Sequence, residues 1–89
     1  MEKKYVVILM NAFVENYKRE DRIARALDEE GITFESVSTP YGHAVEDILY
    51  SLNEDLCQYL CDFAQDDFIY MNGRDIDSID KLYEELFHE

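Results

Sequence analysis

Six of the twenty residues in CDFAQDDFIYMNGRDIDSID, from Cys61 to Asp80, are aspartates. Such a density could hold a metal ion, run acid/base chemistry, or present a charged docking surface. A calcium loop of the helix-loop-helix type needs carboxylates or amides at loop positions 1, 3 and 5 before a glycine at 6. Aligning Gly73 with position 6 puts Phe68 and Tyr70 at positions 1 and 3, so that reading fails. A phosphate-accepting receiver domain wants acidic residues where strands end, whereas Asp66 and Asp67 precede an apolar run. Nucleotide loops are excluded as well, since three dispersed glycines make neither GxGxxG nor GxxxxGK[ST].

The other groups with chemical potential are His43, His88, Cys57 and Cys61. His43 with Asp47 four residues on could tune a general base, but the pair is also an ordinary helical neighbour pair. Cys57 lies fourteen residues beyond His43, about 21 Å along a continuous helix, so the two cannot form a dyad within one chain. Two cysteines four apart in a helical segment, with scattered histidines, lack the spacing of a zinc site. They read more simply as small apolar side chains in a reduced, cytosolic protein. The expectation is therefore no cofactor, no metal and no catalysis.

These residues need elements to position them. YVVILM, from Tyr5 to Met10, is apolar on both faces and suits a strand buried on both sides. Arg19 to Glu30 places Ile23, Ala24 and Leu27 on one helical face, with Gly31 where a helix C-terminal glycine belongs. ITFESVS, from Ile32 to Ser38, has the weaker alternation of an edge strand. From Ala44 to Gln65, Val45, Ile48, Leu49, Leu52, Leu56, Tyr59, Leu60 and Phe63 follow helical spacing over about six turns. FIYM, from Phe68 to Met71, reads as a third, buried strand ended by Asn72 and Gly73. From Ser78 onward, Ile79, Leu82, Tyr83, Leu86 and Phe87 mark a last helix, with Asp75 or Asp77 available as N-cap. This order predicts a single α/β domain over residues 1–89. Its βαβαβα chain forms a three-stranded, mostly parallel sheet of order 2-1-3 packed with three helices.

Lys3 and Lys4 before YVVILM superficially resemble a signal peptide, but Asn11 ends the apolar run and no small-residue cleavage site follows. No run approaches the roughly 18 apolar residues of a membrane helix, so a cytoplasmic location is expected. Formal net charge is −13, from 21 acidic and 8 basic residues. Residues 1–42 hold 6 basic and 8 acidic side chains, giving −2, and residues 43–89 hold 2 and 13, giving −11. Direct contact with nucleic acid or an anionic membrane would be repelled, and a basic protein attracted.

The long helix focuses that charge. At 100° per residue from its apolar face, Asp47, Glu54, Asp55 and Asp62 fall between about 180° and 280° as one acidic stripe. Tyr50, Cys57, Cys61 and Ala64 form a second apolar strip between about 100° and 160°. The strip is either covered by a neighbouring helix or exposed for another chain, a second copy included. With Asp66 and Asp67 in the following turn, this surface suits a protein partner with a basic rim. In size and charge alone the chain resembles phage-encoded inhibitors of restriction or CRISPR nucleases, some of which imitate DNA charge. The resemblance implies a nucleic-acid-binding protein as partner. The competing expectation is a small-molecule-binding or regulatory α/β module, dimeric, with its site at the C-terminal strand ends around Asn11, Thr39, Tyr41, His43 and Asn72.

Overall fold

The computed structural model describes residues 2–32 and 40–87, and the side chains of all of these but 40–42. Its elements are α1 (Lys3–Glu29), α2 (Pro40–Leu52), α3 (Leu56–Asp66), β1 (Ile69–Met71), β2 (Arg74–Ile76) and α4 (Ile79–Phe87). The expected three-stranded parallel sheet of order 2-1-3 is overturned: the described residues form four helices and one two-stranded antiparallel hairpin.

The largest correction is at YVVILM, which lies inside α1 and not in a central strand. A short apolar run is compatible with either state, and what decides is the spacing beyond it. Val6, Met10 and Val14 recur every four residues and are buried, and Phe13 and Tyr17 pack beside them. The helical face therefore continues past Met10, while Ile8 on the other side stays 62% exposed. Arg19 to Glu30 is the second half of this same helix. Its end is as expected: Gly31 has φ 73°, and the Ile32 and Gly31 N–H groups donate to Leu27 and Asp28 carbonyls at 3.0 Å each, a Schellman closure. The expected edge strand from Ile32 to Ser38 falls, apart from Ile32, outside the described residues. Ile32 itself is in no strand.

The single long helix expected over Ala44 to Gln65 is two helices. Pro40 opens α2, at a position where a missing N–H costs nothing. After Leu52 the chain turns, because Asn53 Oδ1 accepts the Asp55 N–H at 2.8 Å and so competes with the helical backbone bond. The Leu56 N–H then returns to the Asn53 carbonyl at 3.1 Å as α3 starts. Asp67 closes α3 in the left-handed region, φ 61°, which a short polar side chain tolerates better than most.

The run FIYM is a strand only over Ile69–Met71, and its partner follows directly. Asn72 and Gly73 both have positive φ, 53° and 81°, the type I′ turn that Asn-Gly favours and that matches strand twist. Ile69, Tyr70 and Met71 then face Ile76, Asp75 and Arg74. Asp75 thus belongs to β2 and not to the last helix. The N-cap of α4 is Ser78, whose Oγ accepts the Lys81 N–H at 3.2 Å. Asp77 instead pairs with Lys81 Nζ at 2.7 Å, a hydrogen bond that holds its carboxyl below the ordinary value.

α1 is the spine: it packs against α2, α3 and α4, while β1 rests on α3 and β2 on α4. Its 27 residues span about 40 Å, most of the 48 Å long axis. One core gathers Val6, Met10 and Val14 of α1, Val45 and Leu49 of α2, Leu56, Leu60 and Phe63 of α3, Ile76 of β2, and Ile79 and Leu82 of α4. Each large apolar side chain fully buried there contributes roughly 1.5–3 kcal/mol. The ion pairs of Lys3 with Glu84 and Lys18 with Asp67 tie α1 to α4 and to the end of α3. They are exposed, where such pairs contribute about 0–1 kcal/mol. Burial, not charge pairing, holds the elements together.

Candidate protein-docking surface

Splitting the long helix redistributes the acidic stripe without dispersing it. Asp47 lies on α2 opposite the buried Val45 and Leu49, Glu54 and Asp55 occupy the turn, and Asp62 lies on the outer side of α3. Asp66 ends α3 and Asp67 caps it. All six are exposed, as is Glu46 on α2. No lysine or arginine occurs between Arg25 and Arg74, so α2, the turn and α3 carry these seven carboxylates and no cation of their own. Among the described residues, Lys18 of α1 alone pairs with them, through Asp67. Asp62 accepts a 3.2 Å bond from Gln58 Nε2, which orients the carboxylate without neutralising it. The surface is strongly negative and open to water.

The second apolar strip divides. Tyr50 is 59% exposed and Ile48 37%, flanking Asp47 on α2. Ala64 is buried, and Cys57 and Cys61 are half-buried and free. The cysteines line a cleft of about 340 Å³ with Phe13, Asn16, Tyr17 and Glu20 of α1 and Val45, Glu46 and Gln58. Cys57 Sγ approaches the Glu46 carbonyl at 3.8 Å. Burial, reinforced by Glu46 and Cys61, pushes the Cys57 thiol up to about 11. Burial raises Cys61 as well, with Asp62 and Glu46 adding to the effect. Both are neutral thiols near pH 7 and poor nucleophiles. Neighbouring helices thus cover the cysteine part of the strip, and Tyr50 is the part left to solvent, with Ile48 of the main apolar face exposed nearby.

A larger groove of about 1490 Å³ runs between the middle of α1 and the end of α3, past Arg19, Arg22, Ile23, Gln65 and Asp66. It is of mixed charge, and Gln65 Nε2 donates across it to Tyr17 Oη at 3.1 Å.

The residues expected at strand ends sit on separate elements. Asn11 is in the middle of α1, its side chain donating to the Val7 carbonyl at 3.0 Å. Asn72 is at the hairpin tip and donates to Glu85 of α4. His43 is exposed on α2, Tyr41 is in the first turn of α2, and Thr39 lies outside the described residues. None of Asn11, His43 and Asn72 lines either cleft. Among the described residues, no group of three or more His, Cys, Asp or Glu side chains is arranged to hold a metal ion, and no helix is long and apolar enough to cross a membrane.

No family model matches the chain, and comparison with curated proteins and with solved structures finds no match.

Glu46 is the member of this surface that a continuous helix hides, because its place beside Cys57 depends on the turn at Asn53. The uninterrupted absence of Lys and Arg from residues 26–73 is the sequence signal that marks the whole surface.

Proposed function

We propose that this chain is a non-catalytic, cytoplasmic protein-binding module that docks through α2, α3 and the turn between them on a basic surface of another protein. A nucleic-acid-binding groove is the kind of surface it fits, and inhibition of such a partner is the consequence. The observation that carries the reading is the set of seven exposed carboxylates of which, among the described residues, only Asp67 is ion-paired, to Lys18. Self-repulsion of that size opposes folding unless an opposite charge meets it. Tyr50 and Ile48 add an apolar anchor within the acidic field, the pattern of a buried contact with a charged rim. The bend at Asn53 supports charge complementarity rather than imitation of a straight row of phosphates.

The test is capture of partners from the host lysate followed by binding measurements on the purified partner. Replacing Asp47, Glu54, Asp55 and Asp62 by lysine is expected to weaken binding by about a hundredfold at low salt and to flatten its salt dependence. Added duplex DNA should compete. Unchanged affinity and salt slope in the quadruple variant would overturn the reading.

A further inference from the structure

The acidic surface repels a second copy of this chain, which carries the same −13, and the outer side of α1 does not. Taking Val6 as zero at 100° per residue, the buried Val6, Met10 and Val14 lie between 0° and about 80°. Tyr5, Ile8 and Ala12 fall between about 200° and 260°, and Lys4 and Glu15 near 160° and 180°. This face lies on the side of α1 away from the core, with Tyr5 and Ile8 open to solvent and the half-buried Ala12 and the exposed Glu15 at the edge of the groove shared with the end of α3. It exposes Tyr5 to 51% and Ile8 to 62%, the largest apolar exposure on α1. Among the described residues, Lys4 has Glu2, 3.7 Å away and likewise exposed, as its ion-pair partner and lies 5.1 Å from the Tyr5 ring, and Glu15 has no ion-pair partner.

The spacing is self-complementary. Two helices related by a two-fold axis run antiparallel, residue i meets residue j of the other copy and j meets i, and the same flank of each helix comes together. Every contact must then share one midpoint. Ile8 with Ala12 centres on residue 10, and Lys4 with Glu15 on residue 9.5, a difference of about 0.8 Å along the axis. In that register the bulky Ile8 seats over the partner's small Ala12, and Lys4 reaches the partner's Glu15 at both ends. We propose that this chain forms an antiparallel homodimer through the outer face of α1, centred near residue 10, with Ile8 packed on the partner's Ala12 and Lys4 paired with the partner's Glu15. About four turns of helix make a small interface, so dissociation in the micromolar range is expected.

Sedimentation equilibrium of the whole chain from about 5 µM to about 500 µM tests this. Wild type should be a concentration-dependent dimer. Ile8→Glu, at an exposed position, should be monomeric with an unchanged circular-dichroism spectrum. Lys4→Glu and Glu15→Lys, each placing two like-charge contacts in the symmetric interface, should each raise the dissociation constant about tenfold. The double variant K4E/E15K should recover most of that loss. A wild type that remains monomeric at the highest concentration overturns the proposal, even if Ile8→Glu then proves to disrupt binding to some different protein. A dimer that Ile8→Glu leaves intact, or a double variant without recovery, overturns it equally.

Discussion

A thiol partly withdrawn from water and near a carboxylate resists ionisation, and Cys57, beside Glu46, is such a group. Its pKa rises from an ordinary 9.0 to about 11. A raised folded-state value means that the contribution to stability is complete below the unfolded pKa and is lost as pH climbs through the folded one. Urea midpoints should therefore fall between about pH 9 and pH 11, and fall less in Cys57→Ala. At pH 8 the thiolate population is about a hundredfold smaller than for an ordinary thiol, so iodoacetamide should label Cys57 far more slowly in the folded than in the urea-unfolded chain. Equal rates would mean that the cleft is open to water. That the cysteines are small and half-apolar was legible from their helical setting. That Glu46 and Tyr17 share their cleft was not, because no local pattern relates residues on three different helices.

At the scale of elements, YVVILM and FIYM depart from their local patterns for one reason: the deciding contact lies outside each apolar run. YVVILM looks like a strand until Phe13, Val14 and Tyr17 extend its spacing into a helix. FIYM looks like a sheet core until Asn72 and Gly73 are taken as a hairpin turn and Arg74–Ile76 as its partner. The α2 to α3 break carries its own signal in Asn53, whose side chain replaces a helical bond, yet the apolar period runs through it undisturbed. Asn53→Ala is expected to cost about 1 kcal/mol, as for a lost helix cap, and to lower the melting temperature by a few degrees. It should also move Glu54 and Asp55 relative to Asp47 and Asp62, weakening the proposed partner binding beyond what the stability loss explains. Full binding by Asn53→Ala would show that the turn geometry does not matter to docking. The last helix is legible locally because Ile79, Leu82 and Leu86 lie close together in sequence. Its cap is not, since Asp77 and Ser78 are adjacent and only the side-chain geometry shows that Ser78 accepts the Lys81 N–H.

At the scale of the whole molecule, a net charge of −13 sits on a chain with a radius of gyration of 14.2 Å. Unlike charges are paired mainly along α1, through Lys3, Lys18 and Arg25, leaving α2 and α3 to repel themselves. Raising salt from about 10 mM to about 150 mM shortens the screening length from roughly 30 Å to 8 Å. The melting temperature should rise by several degrees, corresponding to relief of about 1 kcal/mol. A fall would mean that the surface ion pairs outweigh the repulsion.

Composition and order along the chain were enough to determine the acidity, its concentration after residue 42, the lack of Lys and Arg from 26 to 73, the closure at Gly31 and the final helix. Those are properties of residue types and of neighbours within about one helical turn. Tertiary structure alone decided what buries the apolar face of α1, how the acidic residues of two helices and a turn share one surface, and that α1 covers the cysteines while leaving Tyr50 exposed. The physical reason is that an apolar side chain is recognisable locally, whereas the surface that buries it comes from residues dozens of positions away.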